Sequence, residues 1–178
     1  MTTEAILKTI YNYYPQNISL DDVEAYDTSI EYRNRLKKCQ EAKENNDNWM
    51  KLKRELNLYD FEEDKENVYD YSVLGSEPCY SATIDLGNSQ EPLLISILIS
   101  VIIPLWTYRI IDSTSICYKY KDKKEEKIIV LLQSLIEKYF LGYDFIKEDQ
   151  HQMIIHDIDT VFQSNPTIFE AIFKSDLN

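Results

Sequence analysis

Glycine and proline are scarce in this chain, three and five among 178 residues, and neither a Gly/Ser linker nor a repeat of fixed period is present. That composition argues against tethered, disordered and solenoid architectures, so one globular domain over 1–178 is expected. So few glycines are also poor material for a phosphate cradle. No G-x-G-x-x-G, Walker A loop or G-x-S-x-G elbow occurs, which disfavours phosphate-binding enzymes.

Histidine is scarcer still, with only His151 and His156. Their i, i+5 separation rotates the two imidazoles apart on a helix, where a metal pair prefers i, i+4. Asp157 and Asp159 form a D-x-D triplet around Ile158, but without a Rossmann-like half they are expected to cap or turn the chain. Cys39, Cys79 and Cys117 are odd in number, widely spaced and without a C-x-x-C pair, so neither a disulfide framework nor a zinc knuckle is expected. Cys79 heads an apolar strand with nothing local to lower its pKa, which reads as a buried thiol rather than a nucleophile. No metal and no cofactor is expected.

Long hydrophobic runs are also missing. Leu93 to Trp106 is the longest, shorter than the roughly 20 apolar residues of a membrane span. The start of the chain carries Glu4 and lacks a basic segment followed by an apolar one, so no secretory signal is expected and the location is read as cytoplasmic. The net charge of -12 repels phosphate backbones and anionic lipid, and it speeds encounter with cationic proteins. Nucleic acid and membrane are therefore not the expected partners. The same charge also keeps a monomer dispersed.

What the chain does have is patterned helix and strand. Thr2 or Thr3 can cap a first helix carrying Ile6, Leu7, Ile10, Tyr11 and Tyr14 until Pro15, and Asp21 to Tyr26 reads as a short turn of helix. A charged helix with a narrow apolar stripe follows from Ser29, then one capped by Asp47 and carrying Trp49, Leu52 and Leu56. Near Asn67 the pattern turns to alternation, through Val68, Tyr69, Tyr71 and Val73, then Tyr80, Ala82, Ile84 and Leu86. Ser96, Ser100 and Pro104 recur at helical spacing, so a helix over 93–106 stays open, but Ile95, Ile97, Ile99 and Val101 alternate against Ser96 and Ser100, which favours a central strand that breaks near Pro104 and resumes at Trp106. Ile116 to Tyr120 predicts a further strand. Lys123 to Phe140 predicts a strong helix ended by Gly142 and packed on the sheet, and Asn165 with Pro166 predicts the start of a short C-terminal helix. The expected fold class is α+β: N-terminal helices, a central antiparallel sheet, helix 123–140 on the sheet, and a short C-terminal helix.

The acidic run between the helical and strand-rich halves is the candidate partner-binding segment. Tyr59, Asp60, Phe61, Glu62, Glu63, Asp64 and Glu66 stand there with only Lys65 opposed, and Asp70 follows between Tyr69 and Tyr71. Carboxylates orient Lys or Arg of a partner, and aromatic rings supply stiff contact area. A connection at such a junction is a surface loop, which leaves its acids available, while Tyr69 and Tyr71 follow the strand alternation and are expected toward the core. The expected partner is a basic protein. A ligand-binding or enzymatic domain and an oligomeric module remain alternatives, and the oligomeric state is open.

Several landmarks resemble the small acidic immunity proteins of bacterial polymorphic toxin systems. They are Tyr13-Tyr14-Pro15, Lys38-Cys39 with Ala42 and Trp49, Pro78-Cys79-Tyr80, the long strand reaching Pro104, and Ile158-Asp159-Thr160 with Thr167 to Phe173. The resemblance implies a non-enzymatic inhibitor that occludes a toxin domain. It carries across no catalytic residue.

Overall fold

The computed structural model describes residues 1–58, 68–86, 93–112, 116–117 and 123–173. Four helices come first: α1 (Thr3–Ile10), α2 (Val23–Thr28), α3 (Ile30–Glu44) and α4 (Asp47–Leu58). Thr2, Asp22 and Ser29 cap the first three by accepting from Ala5 N, Ala25 N and Tyr32 N, each satisfying a helix-end N–H that has no partner inside the helix.

The strands are β1 (Val68–Asp70), β2 (Cys79–Asp85), β3 (Leu93–Ser100), β4 (Leu105–Asp112) and β5 (Ile116–Cys117), hydrogen-bonded in that order and antiparallel throughout. After α5 (Lys123–Tyr139), the two-residue β6 (Asp144–Phe145) adds parallel to β4, so the six-stranded sheet is mixed. Two short helices, α6 (Glu148–His151) and α7 (Ile168–Ile172), complete an α+β fold. Among the described residues no helix is long and apolar enough to cross a membrane.

Strand alternation sorts the core into two layers, because residues paired across an antiparallel ladder share a face. On one face Ala82, Ile84, Ile95, Ile97, Ile99, Tyr108 and Ile110 meet Trp49, Leu52 and Leu56 of α4 and Ile128, Leu132, Leu135 and Ile136 of α5. On the other, Cys79, Leu98 and Leu105 meet Ile6 and Ile10 of α1 and Ile168, Phe169 and Ile172 of α7. β3 is the centre of both layers. Ile95, Ile97 and Ile99 are fully buried, and each such side chain stabilises the fold by roughly 1.5–3 kcal/mol. The predicted break after β3 is a hairpin: the chain bends over 101–104 and returns antiparallel as β4.

Two expectations change, and a third falls partly outside the described residues. Asn165 does not cap α7: its φ is 51°, and Thr167 makes the cap instead, its hydroxyl accepting from Glu170 N while the Glu170 carboxylate accepts from Thr167 N. The strand expected from Ile116 is seen as Ile116–Cys117, and 118–120 lie outside the described residues. Tyr69 and Tyr71 do not face the core; they are 46% and 55% exposed. Val68 pairs with Ile84 and Asp70 with Ala82, so that parity of β1 takes the α4 face. Tyr69 falls instead in a cross-strand row with Thr83, Ser96 and Arg109, which is polar.

The candidate interaction surface at α4 and β1

The proposed partner-binding residues Tyr59, Asp60, Phe61, Glu62, Glu63, Asp64 and Glu66 lie outside the described residues. The two elements that this run connects, α4 and β1, are described and face one another across a groove.

Helical spacing gives α4 two different sides. Trp49, Leu52 and Leu56 recur at i, i+3 and i+7 and are buried. Met50, Lys53, Arg54, Asn57 and Leu58 recur at i, i+3, i+4, i+7 and i+8 on the outward side, and together with Val68, Tyr69, Asp70 and Tyr71 they line a groove of about 590 Å³. Met50 and Leu58 are 45% and 77% exposed, so the groove is bordered by apolar as well as aromatic side chains.

Asp70 fixes the two walls together. Its carboxylate accepts from Trp49 Nε1 at 3.1 Å, from Ser72 N at 2.9 Å and from Lys53 Nζ. Partial burial pushes the Asp70 carboxyl up, but the donors Lys53, Ser72 and Trp49 outweigh it and hold the group below its ordinary value. Behind this joint the Trp49 ring stacks on Tyr80 at 5.1 Å and 15°. Tyr80 in turn donates to Ala42 O at 2.6 Å, and burial pushes its phenol up to about 12. Next to Arg54 in sequence, Glu55 belongs to another contact, accepting from Lys138 Nζ at 2.6 Å and from the Tyr139 hydroxyl. These hydrogen bonds hold Glu55 below the usual carboxylate range and tie α4 to α5.

The outward face of α4 was readable only as a complement. Its 50, 53, 54, 57, 58 spacing is plain once 49, 52 and 56 are assigned to the core. Arg54 and Asn57 carry no apolar signal of their own, and Asp70 reads as one more acid of the run until β1 pairs with β2.

The other candidates separate. His151 is buried in α6, its ring 5.4 Å from Phe169, and Phe169 also lies 4.8 Å from the Arg109 guanidinium. His156 is exposed, on a shallow hollow with Asp157 and Asp159. The D-x-D acids were expected to cap or turn the chain locally; their carboxylates instead fasten it to the distant N-terminal segment. Asp157 accepts from Tyr11 Oη at 3.1 Å and Gln16 Nε2 at 2.6 Å, and Asp159 accepts from Leu20 N at 3.0 Å. Among the described residues no group of three or more His, Cys, Asp or Glu is placed to hold a metal ion. Cys39 and Cys79 are buried, and burial pushes the Cys39 thiol up against the opposing pull of Arg35. The Cys117 side chain lies outside what is described.

No protein-family model, curated protein or solved structure matches this chain.

Proposed function

We propose that this chain is a non-enzymatic protein-binding module of the toxin-neutralising immunity type, acting in the cytoplasm on a basic protein. Its partner surface is the α4–β1 groove together with the acidic run Asp60 to Glu66 that joins the two walls. The observation that carries this reading is the convergence of Met50, Arg54, Leu58, Tyr69 and Tyr71 on one groove from which that run departs and to which it returns. Tyrosine, arginine and methionine are the residue types enriched where protein interfaces concentrate their energy. Acidic residues beside such anchors steer a basic partner in and set its orientation.

The test is stopped-flow association with a basic protein partner, sought first as the product of any toxin-like reading frame beside this one. The triple reversal Glu62→Lys, Glu63→Lys and Asp64→Lys is expected to slow association by about 10- to 100-fold at low salt, with a smaller effect at high salt and little change in stability. An association rate untouched by the reversal would count against the surface.

A further inference from the structure

The charges lining the α4–β1 groove are unequally used. Asp70 and Lys53 pair with each other, and Lys53 Nζ also stands 5.6 Å from the Trp49 ring centroid. Arg54 is exposed and has no ion pair or hydrogen bond among the described residues. It sits one helical turn from Met50 on one side and from Leu58 on the other. The groove walls are therefore cationic and apolar at once, inside a chain of net charge -12.

That combination selects a particular ligand chemistry. A guanidinium is a planar fork that takes a carboxylate through two parallel N–H donors, and its weak hydration suits an apolar setting. Met50 adapts its shape to an apolar group, and Leu58 adds an exposed branched side chain one turn beyond Arg54. A volume of about 590 Å³ holds a ring with its acidic neighbour.

We propose that the groove receives a partner segment in which a carboxylate adjoins an aromatic side chain, with the carboxylate on Arg54 and the ring between Met50 and Leu58. The proposal rests on the protein-binding reading above and specifies it. The acidic run draws in a basic protein, and Arg54 then accepts one that offers an acid at this place, a discrimination net charge alone does not provide.

Indole-3-acetate and its neutral amide, indole-3-acetamide, supply the two chemistries as probes. Each is titrated into the full chain at low salt while NMR follows the Arg54 Nε–H and Met50 methyl signals. The acetate is expected to bind about fivefold more tightly than the amide, the size of one exposed charge pair of about 1 kcal/mol. Arg54→Gln should remove that preference while both probes still bind, and Leu58→Ala should weaken both. Equal binding of acid and amide, a preference that survives Arg54→Gln, or no response at Arg54 and Met50 to either probe would overturn the proposal. So would binding that appears only once Glu62, Glu63 and Asp64 are made Gln, Gln and Asn, because the chain's own acidic run would then be the occupant. None of these outcomes bears on the association rates above, which test the protein-binding reading separately.

Discussion

Trp49 Nε1 donates to the Asp70 carboxylate at 3.1 Å and so joins the buried side of α4 to the edge strand β1. Trp49 is 2% exposed, so its N–H has no ready replacement in water. Asp70→Ala leaves that donor unsatisfied and frees Lys53, and a loss of about 1–3 kcal/mol is expected. Urea unfolding measures it. A variant as stable as the parent would mean that α4 and β1 are held together elsewhere.

Acid should act through the same carboxylate. Asp70 is held below its ordinary value of 3.8 in the folded chain, so below that value the unfolded chain takes up the proton more readily. Its contribution is fully present above about pH 4 and is lost as pH falls through the folded pKa. Asp70→Asn should therefore flatten the acid limb of the stability curve between about pH 4 and 2. Parallel limbs in parent and variant would assign the acid sensitivity to other groups.

Arg35 offers a contrast. It is 1% exposed, lies 5.2 Å from the ring centroids of both Tyr14 and Tyr32, and donates through Nη1 to Ser76 O at 3.3 Å. No ion pair to it is found among the described residues, and Nε and Nη2 make no hydrogen bond there. Arg35→Ala leaves a cavity and should cost about 2–5 kcal/mol. Arg35→Met fills the volume without a charge to desolvate and should be markedly less destabilising. Thermal unfolding of the two variants decides it, and equal losses would show that the cation itself is required.

Much of this architecture was legible in the residues. Alternation at Ile95, Ile97 and Ile99 against Ser96 identified the central strand, and Gly142, with φ of 84°, ends the α5 segment as its position suggested. Both signals are local. The parity of β1 was not legible: Tyr69, Tyr71 and Val73 carry the apolar alternation, yet the core takes Val68, because the choice is made by pairing with Ile84 rather than by hydropathy. Thr167 caps α7 through a reciprocal contact with Glu170, while Asn165 adopts the left-handed conformation that asparagine tolerates. The acidic run lies outside the described residues, and the groove beside it was not legible, since Arg54 and Asp70 come together only when α4 and β1 meet.

Tyr69 and Tyr71 separate binding from folding. Tyr69 in β1 and Tyr71 just beyond it are both exposed, so Tyr69→Ala and Tyr71→Ala should change stability by no more than about 0.5 kcal/mol. Loss of either ring should raise the partner's dissociation rate by about tenfold if it is an anchor. Surface plasmon resonance reads that rate, and unchanged dissociation in both variants would remove the tyrosines from the interface.

The central claim is that α4's outward face and β1 form one partner-binding surface with the acidic run between them. Hydrogen exchange of the chain alone and in complex with its basic partner, once one is captured, tests it most directly. New protection is predicted over 50–71, with α7 and the His156 hollow unchanged. Protection confined to those other sites, or no complex at micromolar concentration, would contradict the account.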